Sequence, residues 1–242
     1  MRKIILFLAM SLLLMAEQET NRTVISPLGG KEVLVVESKD CKFCKEFEKD
    51  VLSKYQGTIP LRVVNRSDIR GKGFKLNKIK GTPTIILIRD GKEVYSYRGY
   101  MEEKLFYKAL AIHKLGLKSE AFKVAFKNHT DNKFSKEYEK FKDVGDGVFV
   151  DKISGEPLFD SKDRFNSNSG WLSFYKPIDG ATILKDDNSS KVKRVEVIAK
   201  KSGAHLGHVF NDAPEGKKRF CINATILEFI PRDKINKKEQ KD

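Results

Sequence analysis

The chain has 242 residues, a formal net charge of +14 and three cysteines. That length suits two domains of ordinary size, and so few cysteines cannot staple a disulfide scaffold, while their odd number leaves one thiol unpaired. Lysine is spread through both halves, with no basic stripe interleaved with stacking aromatics; this argues against nucleic acid and leaves a solvated basic surface, or contact with acidic partners and anionic membranes.

Arg2 and Lys3 precede an apolar run, Ile4 to Ala16, and Glu17-Gln18-Glu19 follows it. A basic start, a short apolar segment and a polar exit predict a signal peptide over residues 1–16, cleaved after Ala16. The run falls short of the roughly 20 residues of a spanning helix, although a retained anchor is the alternative. The mature protein is therefore expected outside the cytoplasm, in the periplasm of a Gram-negative source. In that oxidising setting a dithiol needs its own supply of electrons.

Residues 20–116 read as a dithiol module. Glu32 to Ser38 predicts a buried strand, with Asp40 as helix N-cap and Cys41 opening the helix. Phe43, Phe47, Val51 and Tyr55 recur every four residues and predict one apolar face. Leu61 to Val64 is a further strand, Thr84 to Ile88 and Glu93 to Tyr97 flank the hairpin turn Asp90-Gly91, and Met101 to Leu115 closes the module as a helix. At the helix start Cys41 meets the positive end of the macrodipole beside Lys42 and Lys45, which favours thiolate and makes Cys44 the resolving partner. Half of a zinc site or a structural disulfide are the competing readings. No second C-x-x-C completes the first, and the loop closed by the second is very short.

This arrangement resembles the thioredoxin fold, with Cys41-Lys42-Phe43-Cys44 as its redox pair. Gly81-Thr82-Pro83 is similar to that family's second signature, which implies a cis Pro83 facing the disulfide.

Only Leu115-Gly116-Leu117-Lys118 separates this module from residues 117–231, so the domains are expected to sit close together. Ser119 to Phe126 predicts a helix. From Gly147 the pattern is all-β, punctuated by turns at Ser154-Gly155-Glu156-Pro157, Pro177-Ile178-Asp179-Gly180 and Lys185 to Ser190. A final strand is predicted from Arg219 to Ile230. Alternation gives Arg219, Cys221 and Asn223 one face and Phe220, Ile222 and Ala224 the other. His205, His208 and Asp212 precede this strand, and His205, His208, Asp212 and Cys221 also compose a possible metal set. His113 and His129 are expected at the surface, and residues 232–242 as a charged, frayed tail.

The segments GEPLFDSKDRF, SGWLSFYKPI, AHLGHVFNDAP and RFCIN, in that order, resemble the B-type methionine sulfoxide reductases. Thr130 with Phe134 to Tyr138 is similar to that family's opening segment. The resemblance implies an α/β thioredoxin-like domain followed by a mainly antiparallel β domain that reduces the R epimer of methionine sulfoxide, usually within oxidised proteins. It implies that Cys221 attacks the sulfoxide sulfur and that His208 protonates its oxygen. His205, Asp212, Arg219 and Asn223 would support them, with Trp171 and Phe174 packing on the substrate methyl.

Two departures matter. Asp151, Ser154, Ala199 and Ser202 stand where many members bind a structural zinc, so no metal or other cofactor is expected. Ser169 stands where many keep a resolving cysteine. A sulfenic acid on Cys221 would therefore turn to Cys41 and Cys44, themselves re-reduced by an external thiol reductant such as a membrane electron carrier. A periplasmic thiol–disulfide oxidoreductase and a non-catalytic module binding oxidised methionine are the alternative functions.

Overall fold

The computed structural model describes residues 25–66, 73–189 and 192–239. The expected signal peptide lies outside the described residues. The first module is a mixed sheet of β1 (Lys31–Glu37), β2 (Leu61–Asn65), β3 (Thr84–Arg89) and β4 (Lys92–Arg98) in the order β2-β1-β3-β4. β2 lies parallel to β1, whereas β3 lies antiparallel to both β1 and β4. Period-two alternation divides β1 between two layers. Val33 and Val35 pack under α1 (Lys42–Asp50) and α2 (Glu103–Leu115), while Leu34 and Val36 meet Phe74, Leu76 and Ile79 on the opposite face. Asp90 and Gly91, at φ 51° and 75°, make the β3–β4 turn, the left-handed pair that suits a two-residue hairpin.

The second module begins with α3 (Glu120–Lys127) and α4 (Lys136–Lys140), capped by the hydroxyls of Ser119 and Ser135. A small antiparallel sheet joins β5 (Gly147–Asp151) to β6 (Pro157–Asp160) and β13 (Leu227–Pro231). The larger sheet holds β7 (Arg164–Phe165), β8 (Leu172–Phe174), β9 (Thr182–Asp187), β10 (Arg194–Ala199), β11 (His205–Phe210) and β12 (Arg219–Ile222). Its order is β7-β8-β12-β11-β10-β9 and every pairing is antiparallel.

The single strand expected from Arg219 to Ile230 is interrupted. After Ile222 a 3-10 turn over Ala224–Ile226 redirects the chain, so that Leu227–Pro231 crosses into the smaller sheet. Residues 185–187, expected in a turn, instead extend β9 by pairing with Arg194 to Glu196. His113 is buried rather than at the surface, because it shares the inner stripe of α2 with Phe106 and Leu110. The tail forms a helix, α5 (Arg232–Glu239), held at its start by Arg232 bonding Asp146 and Asp160.

One apolar cluster runs through both modules, from Val33, Phe47 and Phe106 to Phe122, Ile153 and Phe220. Among the described residues no helix is long and apolar enough to cross a membrane.

Candidate active site

The first thiol centre sits where β1 turns into α1. Cys41, not Asp40, is the N-cap: its Sγ accepts the Cys44 amide at 3.1 Å. Cys41 and Cys44 form a disulfide. The Thr82–Pro83 bond is cis, and the Ser38 and Thr82 hydroxyls bond at 2.8 Å, tying that segment to the turn before Cys41. Phe47 and Val51 fill the core as expected, but Phe43, between the two cysteines, is 56 % exposed.

The second centre is built on β12. Phe220 and Ile222 are buried, so Arg219 and Cys221 emerge on the other face. The register places Cys221 opposite His208 of β11 and Ser173 of β8. Gly207 allows the two strands to approach, since a Cβ there would lie 2.0 Å from the Cys221 carbonyl oxygen. Cys221 is a free thiol, partly exposed. Burial pushes it above its ordinary value of 9.0, while Arg219 and the Ser169 hydroxyl pull it back toward thiolate. Arg219 is fixed in place beside it. Its Nε and Nη2 each donate to the Asp212 carboxylate at 2.8 Å, and the guanidinium lies 4.6 Å from the Phe210 ring centroid. The Ser167 hydroxyl bonds those of Ser169 and Ser173 at 2.7 Å each, forming a hydroxyl chain beside the thiol.

Each histidine has its own carboxylate. His208 Nε2 meets Asp187 Oδ2 at 2.8 Å, and His205 Nδ1 meets Glu196 Oε1 at 2.7 Å. Asp187 also accepts from the Ser189 amide and from Arg194. These bonds hold its carboxyl well below the usual range. Burial lowers His208 from its ordinary value of 6.5 against the pull of Asp187. His205 is 4 % exposed and its Nε2 has no hydrogen-bond partner.

Trp171 and Asn223 are organised by one residue that sequence reasoning missed. The Asp131 carbonyl accepts the indole Nε1–H at 2.9 Å, its amide donates to Asn223 Oδ1, and its carboxylate accepts the Thr225 amide. Lys133 Nζ stands 5.2 Å from the centroid of the indole. Asn223 frames the site from just beyond the end of β12, donating to the Leu206 carbonyl. A cleft of about 350 Å³ opens beside Trp171, lined also by Arg164, Phe165 and Ser173.

Phe174 is not in the site. Ser173 faces Cys221, so its neighbour faces the core, where Phe174 is fully buried and stacked 4.5 Å from Phe159. Asp187, Glu196, Asp131, Ser167 and Ser173 are the additions. The His-x-x-His spacing offered one available signal, since two adjacent imidazoles need anionic partners to fix their tautomers.

At the four positions that correspond to a structural zinc site, Asp151 is buried and accepts the Ile153 amide and the Ser154 hydroxyl, with Ser202 also bonded to it. Ala199 offers no donor atom. Among the described residues no three His, Cys, Asp or Glu side chains converge as a metal set. His205, His208 and Asp212 each bond a different partner: Glu196, Asp187 and Arg219.

Comparison with known proteins follows the same division. Residues 117–231 match the model of the SelR domain, and residues 21–113 match that of a thioredoxin-like domain. Among solved structures, the reduced periplasmic thioredoxin SoxS from Paracoccus pantotrophus is similar at 24% identity and a TM-score of 0.32, over 34% of this chain and 94% of that one. A thioredoxin-fold protein from Helicobacter pylori is similar at 24% identity and a TM-score of 0.31, over 38% and 74% respectively.

Proposed function

We propose that this chain, whose residues 117–231 are a SelR domain and hence a methionine-R-sulfoxide reductase, works through a sulfenic acid on Cys221 that its fused thioredoxin-like domain removes. The observation that carries the reading is the setting of Cys221. It is the free cysteine, flanked by a fixed cation and set directly across from a carboxylate-bound histidine, while the other two cysteines are already paired.

Cys221 attacks as thiolate, favoured by Arg219 and Ser169 against the cost of burial. A sulfoxide oxygen does not leave sulfur unaided, so His208, charged by a proton from solvent and steadied by Asp187, donates to it. Attack joins the Cys221 sulfur to the substrate sulfur, and the protonated oxygen leaves as water. A water then attacks the Cys221 sulfur and breaks that S–S bond, so that methionine departs as its thioether and Cys221 is left as sulfenic acid. Cys41 thiolate then attacks that sulfur, forming a Cys41–Cys221 disulfide and releasing the oxygen as water. Cys44 attacks Cys41, closing Cys41–Cys44 and freeing Cys221 as thiolate. Two electrons pass from dithiol to sulfenic acid, and an external thiol reductant restores the pair.

Trp171 provides an aromatic wall for the thioether methyl, and the adjoining cleft has room for residues that flank an oxidised methionine in a protein. The apolar leader motivates an extracytoplasmic location.

The test is a Cys44→Ser chain, reduced, freed of reductant and exposed to a methionine-R-sulfoxide peptide. Peptide mapping is expected to find a Cys41–Cys221 disulfide. Sulfenic acid persisting on Cys221 with no such linkage rejects the relay. Substrate turnover that leaves neither that linkage nor a sulfenic acid on Cys221 rejects the role of Cys221.

A further inference from the structure

We infer that the electrons cross between chains, the Cys41–Cys44 dithiol of one copy reducing Cys221 of a second copy; this rests on the relay proposed above and names its partner.

The contact between modules is extensive and involves neither thiol centre. On one side it uses Lys54, Gln56 and α2; on the other it uses the β5–β6 turn, Lys201 and Glu228. Lys201 Nζ donates to the Lys54 carbonyl, and Lys114 Nζ donates to the Lys152 carbonyl and to Glu228. Backbone lies directly on backbone at Gly155, where a Cβ would stand 2.2 Å from the Gln56 carbonyl oxygen. Phe106, Tyr107 and Ile153 are buried in the apolar cluster that both modules share.

Cys41 opens α1, and that helix carries the chain about 13 Å along its axis before the turn that holds Lys54 and Gln56. Cys221 lies beyond the Lys201 turn, across from His208, and β11 rises about 10 Å between His205 and His208. Between β11 and α2 stands α3, packed on both. Among the described residues, no hydrogen bond, ion pair or ring contact joins the surroundings of Cys41 to those of Cys221.

A disulfide requires its sulfurs to come within about 2 Å. Within one chain the modules would have to shift on the junction at Lys54, Gln56 and Gly155, which holds them by contacts that include neither thiol. Between two chains nothing need part, because each centre already faces outward with an exposed aromatic beside it. Phe43, 56 % exposed, separates the two cysteines. Phe134, 57 % exposed, bonds through its amide to the Gly170 carbonyl, next to Trp171. The Phe43 end of one chain fits against Phe134 and Trp171 of the next. Atoms and electrons balance as in the single-chain scheme, with water leaving Cys221 and two electrons coming from the partner copy's dithiol.

In the Cys44→Ser trap, non-reducing electrophoresis should show the Cys41–Cys221 linkage in covalent dimers and larger species. Dilution by about tenfold should slow its formation per chain by about tenfold, since no tether fixes a local concentration. Linkage inside monomers, at a rate indifferent to dilution, overturns the inference and leaves the relay standing. No linkage in any species rejects the relay itself. Mixing reduced Cys221→Ala chains with reduced Cys41→Ser/Cys44→Ser chains gives an independent reading. Substrate should oxidise Cys41 and Cys44 of the former, and if those thiols survive while wild-type chains lose theirs, transfer between chains is excluded.

Discussion

Cys41 caps a helix at the exposed end of its module, whereas Cys221 lies in mid-sheet, where burial opposes its ionisation. The helix start offers Cys41 unpaired amides and a positive dipole end with no long-range partner required. At Cys221 the same help is assembled from distant parts of the chain: Arg219 anchored by Asp212, the Ser169 hydroxyl, and His208 steadied by Asp187. A thiol that only exchanges disulfides needs access, but one that must also see an oxygen protonated needs a built pocket. The difference between the centres is therefore a difference in how much of the fold each one uses.

The largest expected effect separates them outright. Cys221→Ala should lower sulfoxide reduction by at least about 10³-fold while its Cys41–Cys44 pair still reduces a disulfide substrate at the wild-type rate. Equal loss of both activities would make the two centres one. Arg219→Ala comes next. A hydrogen bond to a charged group contributes roughly 1.5–3 kcal/mol, so single-turnover sulfenic acid formation should fall about 10- to 100-fold.

Its pH profile gives the sign. His208 titrates below 6.5 and Cys221 above 9.0, so thiolate and imidazolium coexist as a minority pair. The rate should be flat between the lowered His208 titration and the raised Cys221 titration and fall on either side. Without Arg219 the upper limb should move to higher pH and the plateau should drop. An unmoved upper limb would show that the guanidinium does not govern the thiol.

Two smaller effects probe the junction rather than the thiols. Gly155→Val, at φ +75° and against the Gln56 carbonyl, should cost about 3 kcal/mol and lower Tm by roughly 6–12 °C. A change confined to one of two separate melting transitions would contradict a shared core. The smallest concerns Asp151, which burial raises from 3.8. The folded state then binds the proton more tightly than the unfolded chain. This group's contribution is complete below about pH 4 and is lost as pH rises through the raised value. Asp151→Asn should therefore melt progressively higher relative to wild type as pH increases from 4 toward 7. A constant difference across that range would mean Asp151 titrates normally.

Much of this is legible in the sequence because both motifs are local. Cys41 to Cys44 spans one helical turn, and residues 205 to 223 carry two paired strands with the turn between them. What escapes lies in registers that sequence does not display. Asp187 reads as turn, because Asp-Asp-Asn-Ser-Ser has turn composition, yet the β9–β10 pairing carries it to His208. Asp131 lies 92 residues from Asn223, and nothing in its neighbourhood announces the contact. Resemblance alone puts Phe174 on the substrate wall, although alternation along β8 sets it on the opposite face from Ser173.

The apolar cluster common to both modules also bears on how the molecule fails. Loss of either half strips the other of the surface on which Tyr107 and Ile153 are buried, so the two should melt as one cooperative unit. A heat-damaged chain then surrenders electron donor and acceptor together. No population of orphaned dithiols is left to scramble disulfides in its neighbours, and no reductase is stranded with its cysteine oxidised.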